Sequence, residues 1–282
     1  MNNNASKGAI GVFDSGYGGL TILEGLRRRL PQYDYIYLGD NARAPYGQRS
    51  YDIVYKFTAQ AVDFLFEEGC PLVILGCNTA SAKALRTIQQ RILPLSADPS
   101  RRVLGVIRPT VEVLAGYTRS GHIGVFGTPG TVNSGSYEME IEKLFPDFVT
   151  TTHACPMWVP LVENREAGSD GADFFIRQEI DRLLAEDPKI DTVILGCTHY
   201  PLLIEKIRKY LPDGIRIIEQ GDITGNALAD YLQRHPEMEQ RITAGGSCRY
   251  LTSENAARFG DMASVFLNKY IAAKHVDLSE PR

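Results

Sequence analysis

The sequence predicts an α/β fold built on parallel, doubly wound sheets, and three features point to it. Short continuous apolar runs alternate with amphipathic stretches along nearly the whole chain. Two strand-like words each occur twice: Ile-Gly-Val-Phe at 10–13 and 123–126, and Val-Ile-Leu-Gly-Cys at 73–77 and 193–197. Small-residue loops follow these words, where a strand would hand over to a helix. Continuous apolar strands, rather than alternating ones, mark a sheet covered by helices on both faces.

Taken in order, residues 9–13 read as a strand and 20–30 as the helix after it. The triplet Arg27-Arg28-Arg29, between Leu26 and Leu30, reads as a solvated helix face. Strands over 35–38 and 72–75 precede helices over 51–68 and 80–92, and 90–102, rich in Pro, Ser and Arg, reads as an exposed loop. Further strands are expected over 103–107, 123–126, 149–152 and 192–195, with helical segments between them. The pattern resumes with a strand over 215–218, a helix over 226–234, a short strand over 242–244 and a last helix over 253–273. The two repeated words share nearly one offset, so the chain reads as a degenerate duplication. The expected division is residues 1–105 plus 219–282 as one α/β domain and 106–218 as a second, with crossings near Gly105 and Glu219.

The chain has 282 residues, enough for about two domains, and its 44% apolar content, 23% charged content and net charge of −4 describe an ordinary globular protein. That balance argues against a general nucleic-acid binder. The opening residues are polar and lack the apolar centre of a signal peptide, and no apolar run approaches membrane-spanning length. Five cysteines, an odd number without a CxxC pair, argue against a disulfide framework and for a reducing compartment, so a cytoplasmic enzyme is expected.

Ligands of open parallel sheets bind beyond the carboxyl ends of the strands. Both repeated cysteines fall there: Cys77 before Asn78-Thr79-Ala80-Ser81, and Cys197 before Thr198-His199-Tyr200-Pro201. Backbone N–H groups at a strand-to-helix turn favour anions, so a thiol there can fall below its free pKa of about 8.5. Asp14-Ser15-Gly16-Tyr17-Gly18-Gly19 follows the first strand and fits neither the dinucleotide fingerprint nor a P-loop. A carboxylate at Asp14, among amides suited to anions, makes sense if it meets a substrate ammonium or tunes a thiol. A helix-capping role for Asp14 or Ser15 is the plainer alternative. Pro45-Tyr46-Gly47 forms another loop beyond a strand, and Gly127-Thr128-Pro129-Gly130-Thr131 stands in the second half where Asp14 to Gly18 stands in the first. Glu163 follows the apolar run 158–162, a setting more typical of a surface carboxylate, and His199 lies within reach of Cys197. Zinc held by Cys77, Cys197 and His199 would lack the compact ligand spacings of structural sites. A redox pair would not need flanking carboxylate-binding hydroxyls in both halves.

Together, Asp14-Ser15-Gly16, Pro45-Tyr46-Gly47, Gly76-Cys77-Asn78-Thr79, Thr128, Thr131, Glu163, Gly196-Cys197-Thr198-His199 and Pro201-Leu202-Leu203 resemble the glutamate racemases of the aspartate/glutamate racemase superfamily. The resemblance spans nearly the whole chain. It implies two flavodoxin-like domains related by pseudo-twofold symmetry, with the amino acid enclosed between them and neither cofactor nor metal used. It implies Cys77 and Cys197 as the two acid/base groups on opposite faces of the glutamate Cα. Cys77 would act on the D-enantiomer with Asp14 beside it, and Cys197 on the L-enantiomer with His199 beside it. Glu163 would be a further tuning residue. Asp14, Ser15, Tyr46, Gly47, Asn78, Thr79, Thr128, Thr198 and His199 match positions that hold the substrate. The implied product is D-glutamate for peptidoglycan. Glutamate is the implied small-molecule partner, neither nucleic acid nor membrane is implied, and a homodimer is left open.

Two positions depart from the family pattern: Arg108-Pro109-Thr110 stands where many relatives carry Glu-Pro, and Asn41 replaces a common Thr. Neither belongs to the implied chemistry. Aspartate racemase is the nearest rival, differing by one methylene of substrate, worth about 1–3 kcal/mol in a pocket. A non-catalytic amino-acid-binding protein is the rival of another class, and it predicts loss of at least one thiol.

Overall fold

Two all-parallel sheets carry the chain in a computed structural model that describes residues 7–278; the polar opening residues 1–6 lie outside the described residues. The first half runs β1 (Ile10–Asp14), α1 (Gly19–Arg29), β2 (Tyr35–Gly39), α2 (Tyr51–Glu67), β3 (Leu72–Leu75), α3 (Asn78–Lys83), the single turn α4 (Leu85–Thr87) and β4 (Arg102–Gly105). The second runs α5 (Ile107–Glu112), β5 (His122–Gly127), α6 (Pro129–Val132), α7 (Ser136–Leu144), β6 (Val149–Ala154), α8 (Trp158–Glu163), α9 (Asp170–Glu186), β7 (Thr192–Gly196), α10 (Ile204–Tyr210) and β8 (Arg216–Ile218). The chain closes with α11 (Gln220–Arg234), α12 (Pro236–Glu239), β9 (Cys248–Thr252), α13 (Ala256–Leu267) and β10 (Lys274–His275).

The strand orders are β10-β9-β2-β1-β3-β4 and β6-β5-β7-β8, so the smaller sheet repeats the order of β2-β1-β3-β4. Each repeated word therefore occupies an equivalent strand: Ile-Gly-Val-Phe on β1 and β5, and Val-Ile-Leu-Gly-Cys on β3 and β7 with its cysteine just beyond. All residues of β1, β3 and β7 are buried, which is why they read as unbroken apolar runs. In this order the topological switch points lie between β1 and β3 and between β5 and β7, where loops leaving adjacent strands diverge and open a crevice. The loops carrying Asp14, Cys77, Thr128 and Cys197 leave the sheets there.

The C-terminal part departs from expectation. The strand expected over 242–244 is only an isolated bridge between Ile242 and Gly8. The actual strand is β9, paired with β2. Its Cys-Arg-Tyr-Leu-Thr buries only Leu251 and Thr252, so it shows no continuous apolar run. The last helix stops at Leu267, not 273, because Asn268 takes a left-handed conformation (φ 53°). Helical turns continue through Leu95 in the segment expected as a loop, and Leu93 is buried. The helix expected over 226–234 starts six residues earlier, at Gln220. Gly221 and Gly225 obscure its apolar stripe because they face α1: a Cβ on Gly25 would collide with the Gly221 backbone. Only glycines allow that approach. Arg28 and Arg29 are solvated as expected, whereas Arg27 is half-buried and donates to Tyr250 Oη at 3.3 Å. No helix among the described residues is long and apolar enough to cross a membrane, and all five cysteines are free thiols.

Candidate active site

Cys77 caps the N-terminus of α3. Its Sγ accepts from the Ala80 N–H at 3.4 Å and lies 3.4 Å from Ser15 Oγ. These donors favour a thiolate, yet burial and the neighbouring Asp14 carboxylate outweigh them and push the thiol up to about 12. The lowering expected for a thiol at a helix N-terminus is thus overturned at this position. Asp14 itself is buried; Oδ1 accepts from the Gly16 N–H at 3.3 Å, while Oδ2 has no hydrogen-bond partner. Burial raises its carboxyl pKa, and the His199 charge opposes that rise.

Cys197 has different company. His199 Nδ1 is 3.9 Å from its Sγ, and His199 Nε2 is 3.1 Å from Glu163 Oε1 at the end of α8. Burial disfavours charge on the imidazole, but hydrogen bonds to Cys197 and Glu163 prevail and raise it to about 10. Glu163 is therefore no isolated surface carboxylate; its side chain is 29% exposed and anchors the ring. The loop after β1 touches this pair, because a Cβ at Gly18 would collide with Thr198 Oγ1 and His199 Nδ1.

Between the thiols lies a cavity of about 90 Å³ that Cys77 and Cys197 both line, together with Ser15, Tyr46, Gly47, Asn78, Thr79, Thr128, Glu163, Thr198 and His199. Asp14 stands behind this wall. At one end the hydroxyls of Thr79, Thr128 and Thr131 form a triangle with sides of 3.0 to 3.2 Å. Such a cluster, beside the first amides of α6, suits a carboxylate without adding charge. Gly130 N–H donates to Gly47 O at 2.6 Å, which fixes the 44–48 loop across the cavity mouth. The Tyr46 side chain faces away from substrate duty: its hydroxyl donates to buried Asp40, which also accepts from Arg43 Nε and Ser253 Oγ, each at 2.7 Å. What Tyr46 offers the cavity is packing and backbone.

Sequence reasoning passed over Cys155, Pro156, Val159 and Pro160, which form the apolar side of the cavity from β6 to α8. No chemical motif marks them; the bend that brings α8 over the end of β7 is tertiary. Among the described residues, no group of three or more His, Cys, Asp or Glu side chains is arranged to hold a metal ion.

Comparison with known proteins fits this architecture. Residues 20–228 match the Asp/Glu/Hydantoin racemase family. A glutamate racemase of Ruegeria sp. (strain TM1040) is 38% identical over 273 residues, covering 93% of this chain and 98% of the relative. The crystal structure of a glutamate racemase from Bacillus anthracis superposes with a TM-score of 0.86 at 35% identity, covering 96% of this chain and 98% of that one. The glutamate racemase of Francisella tularensis, solved in complex with D-glutamate, gives 0.83 at 30% identity, covering 97% and 98%. The chain belongs to the Asp/Glu/Hydantoin racemase family and is an amino-acid racemase, an isomerase.

Proposed function

We propose that the chain interconverts L-glutamate and D-glutamate by a two-base mechanism with no cofactor. The observation that carries this reading is the pair of buried cysteines on equivalent strand ends, bordering one cavity, each with its own ionisable partner. A Cα proton beside a carboxylate is a weak acid, so both a base and stabilisation of the developing carbanion are needed. In the L-to-D direction Cys197, as thiolate beside the His199 imidazolium, takes the α-proton; the Cys77 thiol gives a proton to the opposite face. The enzyme is left with a Cys197 thiol and a Cys77 thiolate, the state that starts the reverse reaction. Asp14 tunes the Cys77 thiol through its charge. Thr79, Thr128 and Thr131 suit a substrate carboxylate, while Ser15, Gly47, Asn78 and Thr198 complete the grip on the amino acid.

We assign the enclosing walls to two pseudo-twofold-related units, residues 1–105 with 219–282 and residues 106–218. A cytoplasmic supply of D-glutamate for peptidoglycan follows from this activity, and a homodimer is compatible with it. The decisive experiment is proton NMR of L-glutamate in D2O with enzyme and no added cofactor, run beside Cys77→Ser, Cys197→Ser and an L-aspartate control. Loss of the glutamate α-proton with appearance of the D-enantiomer, abolished as racemisation in both variants, is expected. Folded enzyme that exchanges neither amino acid would leave a binding protein as the better reading. Faster exchange of aspartate would reassign the substrate.

A further inference from the structure

Beneath the cavity floor lies a buried polar ring of which the mechanism above uses only Asn78. Asn78 Nδ2 donates to Gln220 Oε1 at 2.6 Å, and Tyr137 Oη donates to Asn78 Oδ1 at 2.8 Å. Gln220 Nε2 donates to Tyr137 Oη at 2.9 Å, to Thr110 Oγ1 at 2.9 Å and towards Val106 O at 3.4 Å. Asn78, Gln220 and Tyr137 are each no more than 3% exposed. The members come from four elements: Asn78 opens α3 directly after Cys77, Thr110 is on α5, Tyr137 is on α7, and Gln220 opens α11.

The direction of every bond in this ring follows from one group. The Val106 carbonyl can only accept and takes the Thr110 hydroxyl hydrogen at 2.7 Å, so Thr110 Oγ1 must accept from Gln220, whose amide turns its nitrogen towards Thr110 and its oxygen towards Asn78. An amide oxygen there demands the nitrogen of Asn78, which leaves Asn78 Oδ1 to accept from Tyr137. A flipped Asn78 would set its oxygen against the Gln220 oxygen and leave buried groups unpaired, which is costly. One Nδ2 hydrogen of Asn78 remains for the cavity that the residue lines. Val106 lies just beyond β4, where the chain leaves the larger sheet, and Gln220 just beyond β8, where it returns. The Gln220 side chain thus ties the two crossings to each other and to the residue next to Cys77.

We infer that Gln220 is a positioning residue for the racemisation, holding the Asn78 amide in the single orientation that offers its free N–H to the bound amino acid. This inference rests on the two-thiol reading above. Replacing Gln220 with Leu frees the amide, so the KM for glutamate rises by about tenfold or more with a smaller change in kcat, the range expected for losing one oriented hydrogen bond to a charged ligand. Gln220→Glu keeps the size and the oxygen facing Asn78 but loses the donor towards Thr110 and Tyr137 until its carboxyl is protonated. The ratio of its KM to that of the unchanged enzyme should therefore shrink as pH falls.

A double-mutant cycle with Asn78→Ala separates positioning from mere packing. If Gln220 acts through Asn78, adding Gln220→Leu to Asn78→Ala costs no further affinity. Equal fold-losses in both backgrounds, or a Gln220→Glu ratio indifferent to pH, would overturn the inference. Should Gln220→Leu not fold, Gln220→Glu enters the same cycle. Absence of α-proton exchange in the unsubstituted enzyme would defeat the two-thiol reading instead, and glutamate binding by calorimetry would still test the ring.

Discussion

The two thiol sites stand at equivalent strand ends and follow the same five-residue word, yet their surroundings are electrostatically opposite. Cys77 has a carboxyl group and a hydroxyl for neighbours, with burial pushing it up to about 12. Cys197 has an imidazole that stays charged to about 10, held by Glu163. Two sheets of matching strand order thus carry unequal charge at equivalent strand ends. Cys77 is held protonated and a cation stands against Cys197, a division that on the proposed mechanism suits starting from the L-enantiomer. On the proposed two-thiol mechanism, equivalent positions would reach both faces of Cα, and the unequal charge would tell the faces apart.

Removing the cation should disturb this contrast most. His199→Asn is expected to lower kcat/KM by roughly 10²-fold or more, within the range of general acid–base partners. Because the enantiomers have equal free energy, kcat/KM must fall equally in both directions. The one-sidedness is therefore read from the primary isotope effect with α-deuterated substrates, which should grow more for L-glutamate than for D-glutamate. Equal growth for both would mean that His199 serves the two thiols alike. A smaller but more direct contrast is alkylation: burial beside Asp14 keeps Cys77 a thiol and only thiolate reacts, so iodoacetamide at neutral pH should label Cys77 at least about tenfold more slowly than Cys197. Peptide mapping of the first modified cysteine checks this, and preferential labelling of Cys77 would reverse the division.

Much of the fold was legible because a buried parallel strand is an unbroken apolar word, and the words of β1, β3, β5 and β7 repeat. The same rule hid β9, whose Arg249 and partly exposed Tyr250 interrupt the apolar run, and it made Ile242 look like a strand when it forms a single bridge. At the site, Cys77 and Cys197 were visible because strand ends are local. Partnerships that depend on distant chain segments were not: Glu163 reaches His199 only after α8 folds over β7, and Gln220 meets Asn78 across 142 positions. Tyr46 lines the cavity as read, but the partner of its hydroxyl was not legible. The Asp40 acceptor that claims it lies in the folded core.

The smallest effects separate the two sites by stability. In the folded chain His199 keeps its proton up to about 10, whereas the unfolded chain loses it near the ordinary value of 6.5. Between those values the folded state binds the extra proton, so stability falls as pH rises through that window. Thermal melts from pH 6.5 to 10 should show this slope, flattened in His199→Asn by roughly 5 °C over the range. A slope unchanged by the substitution would count against a charged His199. Asp14 behaves in the same sense at lower pH. Its carboxyl is raised above 3.8 by burial, so the stability it contributes is complete below that value and is lost as pH rises through the folded pKa. At neutral pH the burial of this carboxylate is a net cost to the fold. Asp14→Asn should then melt about 2 °C higher at pH 7, show no gain at pH 4, and racemise more slowly. A variant that melts lower at pH 7 would mean that the attraction of His199 for Asp14 exceeds the burial penalty, and that the carboxylate belongs energetically to the Cys197 side.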